Sequence, residues 1–126
     1  MVADTAALLT GKVLSIPQRS YTTPSVVEEV RDAESRRVVE MALSTGRLEV
    51  LEPRREALEE ARKAAMRAGV LRRLSETDLE VLALALMLKN ESCEVLVATD
   101  DYALQRAVIA AGFRVVRLRY PGVKGV

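Results

Sequence analysis

The chain has 126 residues, 49% of them hydrophobic and 29% charged, with a net charge of +1; that is enough for one domain and a globular rather than disordered balance. Histidine is absent, which excludes Ser–His and Cys–His catalysis, a histidine general base and His-ligated zinc. The single cysteine, Cys93, excludes an internal disulfide or a zinc ribbon made from these residues and reads as a small core or boundary residue. Chemistry is left to carboxylates, hydroxyls, Lys, Arg, Tyr or a carboxylate-held metal. The amino-terminal MVADTAALLTGK has no basic segment ahead of its apolar residues, so it does not read as a secretory signal. No apolar run reaches the ~20 residues of a spanning helix, and a soluble, cytoplasmic chain with no membrane partner is expected.

In chain order, Met1–Ala3 reads as a minimal strand, with Thr5 capping a helix over Ala6–Leu9. Gly11–Ser20 reads as a connecting loop. Thr23 followed by Pro24 starts a helix to about Asp32, with a hydroxyl cap and proline at the first helical position. A second helix is expected over Ser35–Leu43, and a strand over Arg47–Leu51. Pro53 opens a charged helix to about Arg67, which Gly69 closes. Ser75 to Asp78 form a capping box ahead of Leu79–Lys89, a helix apolar on nearly all sides and therefore central. Glu94–Ala98 reads as a strand, Asp101–Ala111 as a helix stopped by Gly112, and Arg114–Leu118 as a last strand. Strands alternating with helices imply an α/β fold with a mostly parallel sheet covered on both faces.

Ligands gather at the carboxyl ends of the strands in such sheets. That rule points to Asp4, after the first strand, and to Asp100 and Asp101, after Glu94–Ala98. Each has an ordinary alternative as a helix cap. Glu29 falls about 60° from Val26 around its helix, at the edge of the buried Val26/Val27/Val30 stripe, whereas Glu28 points away into solvent. Asp78 completes the capping box, yet the central helix it begins must open onto solvent or a cleft. Gathered carboxylates repel and hold protons more tightly unless a cation offsets their charge. Oxygen-only ligation suits Mg²⁺ or Mn²⁺, which can activate water and stabilise the leaving oxygen in phosphodiester hydrolysis.

Val2-Ala3-Asp4-Thr5-Ala6, Val26-Val27-Glu28-Glu29-Val30, the Asp78 helix and Ala98-Thr99-Asp100-Asp101 together resemble the PIN-domain ribonucleases over nearly the whole length. The resemblance implies a three-layer α/β/α fold over residues 1–120 and metal-dependent endoribonuclease activity on single-stranded RNA. It matches Asp4, Glu29, Asp78 and Asp101 in turn to that family's acids. Asp4 and Asp101 would then bind the principal metal and Asp78 complete the site, while Glu29 ligates or orients water. Asp100 would reach a metal directly or through water. YTTPSVVEEVRD with Ser35-Arg36-Arg37, then LSETDLEVLALALMLK, then ATDDYALQ narrows the resemblance to the Nob-type endonucleases of ribosome biogenesis. That implies precursor rRNA and the small ribosomal subunit as partners. Nob-type proteins continue into a zinc ribbon, whereas residues 121–126 read here as a linker-like tail.

A VapC-type toxin shares the acidic site, and would bring a homodimer or an antitoxin as partner; a non-catalytic RNA-binding assembly module is a third reading. The Arg31-Asp32 and Ser35-Arg36-Arg37 stretch favours the ribosomal reading, and an adjacent antitoxin gene would favour the toxin. For RNA contact, Arg31, Arg36, Arg37 and Arg106 lie near the acid-bearing segments, and Tyr102 is placed to stack on a base. For each of the five the ordinary alternative is a solvated helix face or a boundary position.

Overall fold

The computed structural model describes residues 1–89 and 94–118; Cys93 and the tail at 121–126 lie outside the described residues. Val2–Ala3 form strand β1, which stops because Asp4 caps helix α1 (Thr5–Leu9), accepting the Ala7 N–H at 3.0 Å. The cap is therefore Asp4, the alternative reading of that residue, rather than Thr5. The region expected as one loop holds a four-residue helix, α2 (Lys12–Ser15), and opens strand β2 (Ser20–Thr22). Helix α3 (Pro24–Glu29) ends short of Asp32, because Val30 turns extended and Asp32 caps α4 (Ala33–Ser44) by accepting the Ser35 N–H at 2.9 Å. Strand β3 (Leu48–Val50), helix α5 (Arg55–Arg67), a 3₁₀ turn (Leu71–Arg73) and helix α6 (Glu76–Lys89) follow. Strand β4 (Leu96–Ala98), helix α7 (Tyr102–Ala110) and strand β5 (Arg114–Val116) complete the order.

The five strands form one sheet in the order β3-β2-β1-β4-β5, and every pairing is parallel. From β1 the chain steps outward to β2 and β3, then crosses back over the sheet to β4 and β5. Right-handed crossovers in opposite directions put their helices on opposite faces. Accordingly α1, α2 and α4 pack together, while α5, α6 and α7 pack with one another and α6 lies against β1. The result is the three-layer α/β/α arrangement.

Helix α6 buries five consecutive residues, Val81 to Ala85, each with no exposed surface, so all its sides meet protein. Fully burying a side chain such as Leu82 is worth about 1.5–3 kcal/mol, which fixes this helix and hence the place of its amino end. Helices α5 and α6 form a hairpin. Gly69 reverses the chain between them at φ 75°, with Gly69 N–H on Met66 O and Val70 N–H on Ala65 O, both at 3.0 Å. The Arg62–Glu76 ion pair at 3.1 Å ties the second half of α5 to the first turn of α6. Among the described residues no helix is long and apolar enough to cross a membrane.

Candidate active site

The strand order reverses between β1 and β4, the point in an open parallel sheet where a crevice forms beyond the carboxyl ends. The register pairs Ala3 with Ala98, so the next residues, Asp4 and Thr99, stand side by side at that crevice. The Asp4 N–H extends the ladder by one bond, to Ala98 O at 3.3 Å. Thr99 is fully buried. Its hydroxyl serves two of the expected acids at once: it donates to the Asp4 carboxylate and accepts the Asp101 N–H at 3.0 Å. Asp101 caps α7 through the Leu104 N–H at 2.9 Å. The Gln105 side-chain amide on α7 donates to Thr99 O at 3.0 Å and fastens the same turn.

Asp78 reaches the crevice from α6. Its carboxylate accepts the Ser75 N–H, and its own N–H is held by the Ser75 hydroxyl, each at 3.0 Å, which is the expected capping box. Glu29 closes the group from α3, accepting the Thr5 hydroxyl at 2.5 Å. The Ser25 hydroxyl donates to Glu80 and ties α3 to α6. Glu28 is exposed and makes no side-chain bond among the described residues.

Electrostatics places Asp4, Glu29, Asp78 and Asp101 within one field. Asp4 is only 8% exposed. Burial pushes its pKa up, and the charges of Asp78 and Asp100 push it further, against the hydrogen bonds from Thr99 and Ala7. Asp78 is also raised, by burial first and then by Asp101 and Glu29, against its bonds with Ser75. Asp100 makes a different contact: its carboxylate accepts the Leu118 N–H at 3.0 Å, so it binds the chain leaving β5 while its charge still acts on Asp4. Asp4, Asp78 and Asp101 each give an oxygen to a backbone N–H and keep lone pairs free for a further partner. Among the described residues no group of three acids forms a ready metal cage. Carboxylates gathered in this way take up a proton, or a hard cation that keeps part of its water.

The residues expected to meet RNA divide. Tyr102 and Arg106 follow Asp101 on α7, both exposed, with the guanidinium 6.0 Å from the ring centre. Arg31, Arg36 and Arg37 are exposed and, among the described residues, pair with none of the acids. Arg36 instead borders a cavity of about 120 Å³ with Val27, Val30, Val39, Glu40 and Leu43. Thr5, Thr99, Ser25 and Gln105, which hold the acids or their helices, were not expected in those roles. Thr99 left a local trace, since a Thr two residues before a capping Asp forms such a turn; Thr5 left none, because its partner is 24 residues away.

Residues 1–88 match the family model described as the PIN domain of ribonuclease, a span that includes Asp4, Glu29 and Asp78. The chain is similar to ribonuclease VapC3 of Aeropyrum pernix, 58% identical over 122 residues, covering 97% of this chain and 88% of that protein. It is similar to endoribonuclease Nob1 of Pyrococcus abyssi, 40% identical over 126 residues, covering 100% of this chain and 72% of that protein. It is also similar to the 20S-pre-rRNA D-site endonuclease NOB1 of Saccharomyces cerevisiae, 28% identical over 109 residues, covering 84% of this chain and 23% of that protein.

Proposed function

We propose that this chain, which belongs to the PIN-domain family of ribonucleases, is a metal-dependent endoribonuclease that cuts single-stranded RNA, and that its substrate is the precursor of the small-subunit rRNA. The observation that carries the reading is the meeting of Asp4 and Asp78, two partly buried carboxylates with raised proton affinity, at the sheet's switch point. The donors are all carboxylate oxygens, which fits Mg²⁺ or Mn²⁺. Asp4, Asp78 and Asp101 would hold the ion, with Asp100 near enough to act through water. When bound, it supplies a counter-charge for the phosphodiester and a more acidic water.

The remaining work falls to the chain's own groups. Thr99 keeps Asp4 and Asp101 in fixed relation, so the two carboxylates act as one unit. Thr5 holds Glu29 toward the crevice, where its carboxylate orients water or accepts its proton. Tyr102 and Arg106, beside Asp101, offer a ring to stack on a base and a cation for a phosphate. Arg31, Arg36 and Arg37 would add charge farther along the strand.

Similarity to the Pyrococcus Nob1 over the full chain supports the ribosomal substrate, and the name of the yeast relative states pre-rRNA as that protein's target. A toxin ribonuclease is the second reading, favoured by the 58% identity to the Aeropyrum VapC3. The test incubates the full chain with a single-stranded RNA spanning the small-subunit 3′ end, with Mn²⁺ or with EDTA. Internal cutting at one position, only with metal and lost in Asp4→Asn, is expected. Unselective degradation, suppressed by the product of a neighbouring gene, would transfer the assignment to the toxin. A folded protein that binds the RNA and cuts nothing with Mn²⁺ would make it an assembly module.

A further inference from the structure

The tip of the α5–α6 hairpin is basic and stands at the edge of the acid cluster. Asp78 lies in the first turn of α6, and the antiparallel packing of the two helices, with Arg62 on Glu76, brings the carboxyl end of α5 to the same edge. Arg67 occupies the last turn of α5. Arg72 and Arg73 end the 3₁₀ turn, three and two residues before Ser75, whose N–H and hydroxyl clasp Asp78. Successive Cα atoms are about 3.8 Å apart, so Arg73 starts within one long side chain's reach of the crevice.

All three arginines are exposed, and among the described residues none is ion-paired; Glu76, the first acid after them in the chain, is already taken by Arg62. The neighbouring 3₁₀ residue, Leu71, is half-buried, and Leu74 packs into the core, so Arg72 and Arg73 project from an anchored turn. Gly69 and the bonds from the Gly69 and Val70 N–H groups back to α5 fix the approach from α5. A row of rigidly based, unneutralised arginines beside a ring of carboxylates is an arrangement that holds a polyanion's backbone while the ring meets one linkage of it.

Resting on the nuclease reading above, we propose that Arg67, Arg72 and Arg73 form a docking surface for the phosphate backbone of the single-stranded RNA on the Asp78 side of the crevice. It is separate from the Tyr102–Arg106 pair beside Asp101. The surface binds phosphates and carries no base preference. It therefore acts on strands long enough to extend past the acids.

The test measures binding of the full chain to a long oligouridine in EDTA over a series of salt concentrations, for the parent, Arg72→Gln/Arg73→Gln, and the triple variant with Arg67→Gln. The double variant leaves the end of α5 untouched and guards against a folding loss. Three phosphate contacts at about 0.7 each predict a salt slope shallower by about 2 in the triple variant. Between about 50 and about 200 mM salt the parent should thus lose roughly 20-fold more affinity than the variant. Cleavage of an oligonucleotide just long enough to cover the acids should be unchanged. A variant with the parent's affinity and slope overturns the proposal, even if the parent cuts RNA. A parent that binds with the steep slope but cuts nothing would defeat the nuclease reading alone and leave this surface standing. Variants that lose only a polyglutamate probe would assign the tip to an acidic protein and overturn the RNA proposal.

Discussion

Replacing Asp4 by Asn removes a charge and keeps a cap. Asparagine accepts an amino-terminal N–H about as well as aspartate, so the bond from Ala7 survives. In the metal-free protein the Asp4 carboxylate sits buried beside Asp78 and Asp100 with its pKa raised above 3.8. The folded state therefore holds this proton more tightly than the unfolded chain does. Stability falls as pH climbs from about 3.8 to the raised value, by about 1.4 kcal/mol for each pH unit between the two, and stays low above it. Asparagine does not titrate and escapes that loss. For 126 residues, an unfolding entropy of about 2.1 cal/mol/K per residue makes 1 kcal/mol equal to about 4 °C in Tm. Asp4→Asn should melt above the parent at neutral pH, and the gap should close as pH falls to about 4. Asp4→Ala also loses the cap, about 1 kcal/mol, and should melt about 4 °C below Asp4→Asn at every pH. Thermal melts followed by circular dichroism in EDTA measure all three. An Asn variant that melts no higher than the parent at neutral pH, or a gap indifferent to acid, would refute the argument.

Glu29→Gln should reduce RNA cleavage far more than Glu28→Gln, and Thr5→Val should follow Glu29→Gln, because only Glu29 is held toward the crevice; equal rates for the two glutamate variants would dissociate α3 from the chemistry. Gly69→Ala should lower Tm by about 4–8 °C, the equivalent of about 1–2 kcal/mol for forcing a side chain into left-handed backbone. A Cβ there would meet nothing within 4 Å, so the loss comes from the backbone alone. An unchanged Tm would mean that the turn can close some other way.

Much of the acid cluster was readable because caps are local. Asp78 with Ser75, and Asp101 with Leu104, bond across three residues, a spacing that a sequence displays. Alternating elements then carried Asp4 and Asp101 to one sheet edge. Strand β2 escaped for the opposite reason. Its residues, Ser20, Tyr21 and Thr22, form no apolar run, yet Ser20 and Thr22 are fully buried. Thr22 is tolerated there because its hydroxyl donates to Ala3 O at 2.7 Å, a bond that exists only once β1 lies alongside. The end of α3 was misplaced because Asp32 serves the following helix rather than the preceding one. The position of Asp100, turned onto Leu118, depends on β5 and could not be read from two adjacent aspartates.

Two of the acids at the crevice are also the residues that cap helices, Asp4 for α1 and Asp101 for α7, while Asp78 sits inside the first turn of α6, which Ser75 caps. This double duty constrains how such a chain can lose its chemistry by drift. A change to Ala at Asp4 or Asp101 discards both the carboxylate and the first bond of a helix, whereas Asn, Ser or Thr discards only the carboxylate. Descendants that have stopped cutting should therefore carry capping residues at these two positions and be free to vary at Glu29, which starts no helix. An inactive relative would betray its ancestry by asparagines and serines standing where aspartates once did.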